Sequence, residues 1–403
     1  MKYITRAVSA LLITSFAINF AFCAPSQVTT IPYELFEYEK HNIHVIRIDP
    51  KSFNMELVKA REQVIGREAL NAISLRKNAI AAINAGFFKI GNSEDGRPSL
   101  SLIINGKIFG LKQGMQSLLI FDQGEIKISK SLIKISVISD QEVFALTKIN
   151  NLSNPEDITL YNDLWGEKTL TAYNRTEIII NSNLEVTTIC NHGDNSIPKG
   201  GYVLSLPKNK TTAAIKTGHN FNVALELLDE TEKPIKLSNS FSAVTGIPIL
   251  VQNGQVIENN SLSASFSQEL HARTALGIHL DGTIIIAVAE HTNQNLKNLT
   301  LQQAMSVLKK ANIDQSKLSL AQALDIIKKD QIRSGSVGLS LDEMSQFMIK
   351  LGCDSAINLD GGGSSTMFID GKIVNEVCGD KDESLGINIV RPISDAIVVL
   401  PKN

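Results

Sequence analysis

The decisive stretch of this chain is Ile357-Asn358-Leu359-Asp360-Gly361-Gly362-Gly363-Ser364-Ser365-Thr366-Met367. An apolar run ends in a carboxylate, three glycines and three hydroxyl side chains, and a second apolar run follows at once. Three adjacent glycines lose much backbone entropy on ordering, so a folded chain keeps them where backbone bends sharply or approaches a ligand closely. The stretch therefore predicts two strands joined by a polar loop, which is either a ligand site or an ordinary glycine-rich turn.

The position of this glycine loop (residues 360–366) excludes nucleotide binding of the common kinds. A phosphate-binding or dinucleotide-binding glycine loop opens a helix, whose N-terminus holds the anion. Here a strand is expected on both sides, and no lysine follows the glycines. What remains is a loop whose backbone N–H groups and hydroxyls could hold an anion as a nest.

The composition is that of an ordinary globular protein. The chain has 403 residues, of which 43% are hydrophobic and 20% charged, and its net charge is −2. Without an excess of basic residues to neutralise phosphates, nucleic acid is not expected as a partner. Oligomeric state is not readable from the sequence.

The N-terminus is typical of an export signal. Lys2 and Arg6 precede a mostly apolar run over residues 7–22, and Ala21 and Cys23 are small residues at the positions that a signal peptidase recognises. We predict a signal peptide at 1–23 and an exported protein, either periplasmic or secreted. A lipid anchor on Cys23 is the alternative, which the bulky Phe22 disfavours. No later run is long enough to span a bilayer, so no transmembrane span is expected after signal removal.

Three cysteines remain after signal removal, namely Cys190, Cys353 and Cys378. Because export permits disulfides, Cys353 and Cys378 could pair across the glycine loop; alternatively, all three are small buried hydrophobic residues. Their spacing does not match a zinc site.

Alternating apolar residues predict many strands. We expect strands at 42–48, 80–84, 102–104, 118–121, 126–128, 133–138, 177–180, 249–252, 275–279, 283–289, 356–359, 366–369 and 396–400. Several of them are separated by hairpin signals such as Asn253-Gly254 and Asp370-Gly371. The predicted class is α+β, dominated by mixed β-sheets with few helices. The predicted organisation is a signal peptide at 1–23, an N-terminal leader with the first strands at 24–78, and one domain at 79–403.

Three capping boxes predict helices. Ser340 with Glu343 opens an apolar stripe that ends at Gly352, and similar boxes begin at Thr300 and Ser319. The last two predict a helical pair inserted among strands at about 299–331.

Polar residues also cluster at the ends of other predicted strands. Asn84-Ala85-Gly86-Phe87-Phe88 ends one strand, His271-Ala272-Arg273-Thr274 begins another, and Glu290-His291 ends a third. Arginine is a natural phosphate ligand because its fork donates parallel hydrogen bonds. Taken one at a time, these residues also have ordinary structural interpretations: the phenylalanines as core aromatics, Arg273 in a surface salt bridge and His271 as a structural histidine.

Five segments in the same order resemble the phosphodiester glycosidase family. They are 84–88, 246–250, 271–277, 338–343 and 358–367, and the last matches the family pattern Asn-Leu-Asp-Gly-Gly-Gly-Ser-Ser-Thr-Met without a change. Ala85 replaces a glycine of the family pattern, and Ala272 replaces a proline. The resemblance runs from about residue 79 to residue 400, and the helical pair departs from it.

The resemblance implies a hydrolase that cleaves a sugar-1-phosphodiester between the anomeric carbon and the phosphate. We expect Asp360 to stabilise or attack the anomeric carbon or to activate water, Arg273 to hold the phosphate, and Glu290 or His271 to supply a second acid–base group. The expected substrate-binding residues are Asn84, Gly86, Phe87, Thr274, Asn358, Gly361, Gly362, Gly363, Ser364, Ser365 and Thr366.

Two other functions stay open. The chain could be a non-catalytic envelope module that binds glycan or anionic polymer. It could also be a serine hydrolase that uses Ser364 or Ser365, although the sequence lacks the usual Gly-x-Ser-x-Gly elbow of such enzymes. No cofactor is expected, although Asp360 and Asn358 could share a calcium ion.

Overall fold

Strands make up most of the regular structure in this computed structural model. It describes residues 30–38, 41–139, 142–210, 215–258, 262–291, 301–310, 318–329, 338–382 and 387–402. The predicted signal peptide and the capping box at Thr300 lie outside these residues. No helix in the described part of the chain has the length and apolar character needed to cross a bilayer.

The elements follow one another with short connections. The strands are β1 (Tyr33–Tyr38), β2 (His41–Ile48), β3 (Phe53–Lys59), β4 (Ala81–Asn84), β5 (Leu102–Ile104), β6 (Lys107–Gly110), β7 (Gly114–Asp122), β8 (Glu125–Ser139), β9 (Val143–Ala145), β10 (Lys148–Ile149), β11 (Thr159–Asn162), β12 (Arg175–Ile180), β13 (Val186–Cys190), β14 (Tyr202–Pro207), β15 (Phe221–Leu228), β16 (Ser242–Thr245), β17 (Ile249–Gln252), β18 (Gln255–Val256), β19 (Arg273–His279), β20 (Ile284–Ala289), β21 (Cys353–Asn358), β22 (Met367–Ile369), β23 (Lys372–Ile373), β24 (Asp380–Asp382), β25 (Ile387–Ile389) and β26 (Asp395–Pro401). The α-helices are α1 (Leu70–Arg76), α2 (Ala264–Ser267), α3 (Leu301–Lys310), α4 (Leu320–Lys329) and α5 (Leu341–Lys350).

Two sheets face each other across the main core. Sheet I has the strand order β1-β2-β20-β19-β21-β17-β18, and sheet II has the order β23-β22-β4-β26-β3. Ile46 and Ile286 of sheet I share this core with Ile83 and Ile397 of sheet II. Successive strand residues point to opposite faces of a sheet, so each sheet also has an outer face that points away from this core. Both outer faces are apolar: helix α5 covers that of sheet I, and helix α1 covers that of sheet II.

Two further sheets extend this arrangement. Sheet III has the order β15-β8-β7-β16-β5-β6, with β9 paired to β8, and it contributes Leu119 and Val244 to the main core. Sheet IV has the order β10-β11-β14-β12-β13, and its residues Leu160, Ile178 and Leu204 belong to a separate core.

The expectation of a sheet-rich fold with few helices is confirmed, with two differences in detail. The predicted strands at 126–128 and 133–138 form one continuous strand, β8, because β7 and β15 pair along its two edges. The sheets are less mixed than expected, since β10–β11 is the only parallel pair among the strands described.

The hairpin turns at Asn253-Gly254 and Asp370-Gly371 and the helix caps at Ser319 and Ser340 also form as predicted. Asn253 and Gly254, and likewise Asp370 and Gly371, adopt the positive φ angles of tight hairpins. The Ser340–Glu343 capping box is present at α5, and Ser319 caps α4 by exchanging hydrogen bonds with Gln322. Helices α3 and α4 pack on each other at the predicted helical pair. Their status as an insertion stays a prediction.

The first strands expected within residues 24–78 join the later strands, since β2 pairs with β20 and β3 pairs with β26, and the compact unit begins at Ile31. The domain boundary at 79 stays a prediction. Of the two alternatives for the cysteines, the structure has free thiols at Cys190, Cys353 and Cys378. Cys353 is only 3% exposed against α5, and burial raises the pKa of its thiol to about 12.

Candidate active site

The glycine loop joins β21 to β22, so it links the two sheets that enclose the main core. Its residues Gly362–Ser364 form one turn of 3-10 helix, which Gly362 begins with a φ of +60°. Glycine adopts this left-handed conformation without the steric cost of a Cβ. The loop is therefore a sharp turn at the meeting point of sheets I and II.

Asn84 holds the loop in place from the end of β4. Its Nδ2 donates to the Asp360 carbonyl at 2.6 Å, and its Oδ1 accepts from the Thr274 hydroxyl at 2.8 Å and from the Thr366 N–H at 3.2 Å. The side chain is 1% exposed. The structure therefore brings Asn84, Thr274 and Asp360 together, as expected, but Asn84 bonds to the protein rather than facing open space.

The glycine N–H groups are partly used within the protein. The Gly361 N–H donates to Asp360 Oδ1 at 3.0 Å, and the Gly362 N–H donates to the Ala272 carbonyl at 2.7 Å. The first bond orients the Asp360 carboxylate, and the second joins the loop to β19. Two of the three amides expected to hold phosphate are thus engaged elsewhere.

Arg391 is the cation at the glycine loop. A Cβ built on Gly363 would lie 2.4 Å from the guanidinium carbon of Arg391, so the guanidinium packs directly on the Gly363 backbone. Arg391 Nε donates to Asp380 Oδ1 at 2.7 Å, which fixes the direction of the fork. Its side chain is 22% exposed.

Asp360 carries a strongly perturbed carboxyl group. Burial raises its pKa to about 7; the nearby Asp395 carboxylate adds to the rise, whereas the Ser364 hydroxyl, the Gly361 N–H and the Arg391 cation oppose it. A carboxyl group with a pKa near neutrality, beside a cation in a polar loop, is a candidate for proton transfer or nucleophilic chemistry.

Asp395 is a second carboxylate behind the first. It is 1% exposed, its Oδ1 accepts the Gly86 N–H at 2.6 Å, and its Oδ2 has no hydrogen-bond partner among the described residues. Burial raises its pKa, and Lys59, its cross-strand partner in β3, opposes that rise. A Cβ on Gly86 would lie 2.9 Å from Asp395 Oδ1, so Gly86 permits this close approach.

The expected phosphate-binding role of Arg273 finds no support in its geometry. Arg273 Nε donates to the Leu339 carbonyl at 3.0 Å, and Nη2 donates to the carbonyls of Phe266 and Glu269 at 2.8 and 3.0 Å. Burial lowers its pKa to about 10. Because Thr274 points towards Asn84, strand alternation turns Arg273 to the outer face of sheet I. Its fork is therefore committed to backbone away from the glycine loop.

The side chains of His271 and Phe87 make their contacts outside the glycine loop. His271 is half-exposed, its Nε2 lies 3.5 Å from Glu269 Oε2, and its backbone pairs with Leu339 near α5. The Phe87 ring packs on that of Phe266, with 6.4 Å between centroids. Among the described residues, these two side chains contact Glu269, His291 and Phe266 rather than the glycine loop.

Glu290 lies on the inner face of sheet I, buried at 3% exposure. Its Oε1 is 2.8 Å from His44 Nε2 and accepts the Glu376 N–H at 2.5 Å, and its Oε2 accepts from Asn42 Nδ2 at 3.0 Å. Glu376 connects it to the loop, because the preceding residue, Asn375, accepts the Met367 N–H at 2.7 Å and donates to the Ser365 carbonyl at 3.1 Å.

The hydroxyls of the loop are buried and bonded within it. Ser365 Oγ lies 3.2 Å from Thr274 Oγ1, and Thr366 Oγ1 donates to the Ser364 carbonyl at 3.2 Å. Asn358 donates through Nδ2 to the carbonyls of Ile247 and Leu359. No group of three or more His, Cys, Asp or Glu residues in the described ranges is placed to hold a metal. Calcium binding stays a prediction.

Several residues of this site escaped the sequence reasoning, namely Asn42, His44, Asn375, Arg391 and Asp395. The signal for two of them was present: Arg391-Pro392-Ile393-Ser394-Asp395 places polar residues directly before an apolar strand, as His271–Thr274 does. His44 shares one face of the strand predicted at 42–48 with Ile46 and Ile48, and its polarity on that apolar face is the signal that points to it.

Comparison with known protein families and sequences identifies relatives of this chain. The sequence profile of the phosphodiester glycosidase family matches residues 174–325 and 327–400, which is more than half of the chain. The chain belongs to the phosphodiester glycosidase family. Another similar protein is RC0079 of Rickettsia conorii (strain ATCC VR-613 / Malish 7), which is 45% identical over 250 residues that cover 60% of this chain and 88% of RC0079.

Solved structures share the fold of this phosphodiester glycosidase family member. A hypothetical protein from Synechocystis has a TM-score of 0.66 at 18% identity, over 92% of this chain and 62% of its own. The protein BPSS2145 of Burkholderia pseudomallei K96243 has a TM-score of 0.65 at 20% identity, over 90% of this chain and 74% of its own. The chain thus spans less than two thirds of the Synechocystis protein. At these identities the likeness shows the fold alone.

Proposed function

We propose that the protein is a hydrolase that cleaves the bond between the anomeric carbon of a sugar and the phosphate of a phosphodiester. The observation that carries this proposal is Asp360, whose raised pKa of about 7 occurs in a glycine loop beside the Arg391 guanidinium. Membership of the phosphodiester glycosidase family supports the same reaction class.

In this proposal Asp360 acts at the anomeric carbon. The transition state of glycoside cleavage resembles an oxocarbenium ion, which a carboxylate can stabilise or attack, or to which it can direct water. The Gly361 N–H and the Ser364 hydroxyl hold the carboxyl group in one orientation. Burial, with a smaller contribution from the Asp395 carboxylate, disfavours its ionisation and raises its pKa to about 7, so Asp360 stays near the midpoint of its titration at neutral pH.

Arg391 takes the phosphate in place of Arg273. A phosphate group leaves readily, so stabilising its negative charge contributes more to the rate than protonating it. The Arg391 fork lies against the loop that carries Asp360 and is partly exposed, whereas Arg273 is 3% exposed and bonded to carbonyls.

The remaining loop residues act mainly by orientation. Asn84 and Thr274 bond to the loop itself, and Ser365 bonds to Thr274. We assign these residues to holding Asp360 in place. In this proposal, other groups on the open side of the loop bind the sugar hydroxyls.

The competing function is a non-catalytic envelope module that binds glycan or anionic polymer. The perturbed carboxyl group favours the enzyme, because binding alone gives no reason to bury Asp360 and Asp395 near each other. Incubation with UDP-N-acetylglucosamine separates the two functions: released sugar supports the enzyme, and tight binding without release supports the module.

Export is part of the proposal. It rests on the basic and then apolar N-terminal sequence and on Ala21 and Cys23 at the expected cleavage site. Mass spectrometry of the mature N-terminus tests it. A chain that starts at Ala24 supports cleavage, whereas retention of residues 1–23 contradicts it.

A further inference from the structure

A series of hydrogen-bonded side chains, exposed at Tyr33 and buried at His44 and Glu290, runs from the edge strand β1 towards the glycine loop. The Tyr33 hydroxyl lies 2.9 Å from His44 Nδ1, and His44 Nε2 lies 2.8 Å from Glu290 Oε1. The side chains of His44 and Glu290 are each 4% exposed, whereas Tyr33 is 40% exposed. Strands β1 and β2 of sheet I supply Tyr33 and His44, and Glu290 directly follows the neighbouring strand β20.

One assignment of protons satisfies all three groups. If His44 Nε2–H donates to Glu290, then His44 Nδ1 is free to accept from the Tyr33 hydroxyl. Asn42 donates to the other oxygen of Glu290. The carboxylate is therefore held by side chains from β2 on both of its oxygens.

Glu290 in turn contacts the segment at Asn375 and Glu376, which bonds to the glycine loop. Its Oε1 accepts the backbone N–H of Glu376 at 2.5 Å. The preceding residue, Asn375, accepts the Met367 N–H at 2.7 Å and donates to the Ser365 carbonyl at 3.1 Å. Three consecutive hydrogen-bonded contacts thus connect His44 to the end of the loop that carries Asp360.

The hydrogen bonds to both carboxylate oxygens limit the proton-transfer chemistry that Glu290 can perform. A general acid must present its proton to the substrate, and a general base must present a lone pair. Both oxygens of Glu290 instead accept hydrogen bonds from the protein, and the side chain is buried.

We propose that Glu290, held by His44 and Asn42, is a positioning residue that fixes the glycine loop through Glu376 and Asn375, rather than the second proton-transfer group. The inference rests on the proposed function in that it assigns Asp360 the chemistry. Small displacements of a reacting group cost large factors in rate, so loss of this support lowers kcat more than it raises KM.

Two replacements of His44 isolate the contact that matters. The amide nitrogen of a glutamine reaches about as far as Nε2 of histidine, whereas that of an asparagine reaches only as far as Nδ1. His44→Gln therefore keeps a donor for Glu290, and His44→Asn loses it. With UDP-N-acetylglucosamine as substrate, we expect H44Q to keep kcat within about threefold of wild type and H44N to lose at least about tenfold, with KM changed less than about threefold.

Tyr33→Phe is the matched control at the other end of the chain. It removes the hydroxyl that contacts Nδ1 and leaves the Nε2 contact to Glu290 intact, so kcat should stay within about threefold of wild type. Equal kcat values for H44Q and H44N would overturn the proposal, as would a loss in Y33F as large as that in H44N.

Hydrogen exchange gives a readout that does not need activity. Glu290→Ala and H44N should speed amide exchange in peptides that cover residues 361–367 and 375–376, while H44Q and Y33F should not. Unchanged exchange there in both E290A and H44N would overturn the positioning role. If the wild type releases no sugar but exchange responds as expected, the positioning role stands and the proposed hydrolase activity fails.

Discussion

The guanidinium of Arg391 occupies the space where a side chain on Gly363 would begin. A Cβ at Gly363 would lie 2.4 Å from Arg391 Cζ and 2.7 Å from Nη1. This contact explains why the third residue of the glycine run has no side chain, and it places a cation beside Asp360. Gly362 is explained separately by its positive φ, so neighbouring glycines serve different purposes.

We predict that Gly363→Ala displaces Arg391 and impairs catalysis. The added methyl group must push the guanidinium away, so kcat/KM for UDP-N-acetylglucosamine should fall by about tenfold or more. Steady-state kinetics check this, with circular dichroism to verify folding. An alanine variant that retains wild-type kcat/KM would show that the contact does not matter for turnover.

The two arginines should respond differently to replacement. Arg391→Met should lower kcat/KM on the order of 100-fold, because the charge that stabilises the leaving phosphate is lost. Arg273→Met should leave KM unchanged but lower the free energy of unfolding by about 2 kcal/mol or more, since it leaves three carbonyls of buried or partly buried backbone without their donor. Kinetics and urea unfolding of both variants make the comparison. A larger KM effect in R273M than in R391M would restore Arg273 as the phosphate ligand.

Asn84 should matter first for stability. Asn84→Ala leaves the Asp360 carbonyl and the Thr366 N–H without their partner, and each unsatisfied buried group costs about 1–3 kcal/mol. Urea unfolding should show this loss, and Asn183→Ala at an exposed turn is the control that should change little. Equal unfolding midpoints for the two variants would contradict the bridging role.

The raised pKa of Asp360 makes stability depend on pH. Because the folded-state pKa of about 7 lies above the unfolded value near 3.8, this group lowers stability as pH rises between about pH 4 and about pH 7. Asp360→Asn removes the ionisation, so the variant should melt at a higher temperature than wild type at pH 8. The difference should shrink towards pH 5. Thermal unfolding at both pH values measures it, and a variant that is less stable than wild type at pH 8 would contradict the assigned pKa.

The same shift predicts the pH profile of the reaction. If ionised Asp360 is the reactive form, kcat/KM should fall as pH drops below about 7. Asp395→Asn removes a neighbouring negative charge, so the acidic limb should move to lower pH. An acidic limb that moves to higher pH in Asp395→Asn would contradict this prediction.

Local patterns in the sequence predicted much of the fold. The strands, the hairpins at Asn253-Gly254 and Asp370-Gly371, and the α5 capping box depend on neighbouring residues, so alternation and turn chemistry suffice to find them. The continuity of β8 was missed because its middle, around Lys130, lacks an apolar pattern, and pairing with β7 and β15 supplies what the sequence does not show.

The candidate site was predicted only in part, because side-chain direction depends on the sheet. Asp360, Asn84 and Thr274 meet as expected, since each stands at a strand end. Arg273 differs from Thr274 by one position, and this one step turns it to the opposite face of sheet I. Arg391 and Asp395 come from a distant stretch that β26 carries to the loop, and only strand pairing reveals that proximity.

The most direct test of the central claim is sugar release from UDP-N-acetylglucosamine by the purified protein and by Asp360→Asn. The account predicts free N-acetylglucosamine from the wild type and a loss of at least about 100-fold in kcat for the folded variant. Equal turnover by wild type and D360N would contradict it.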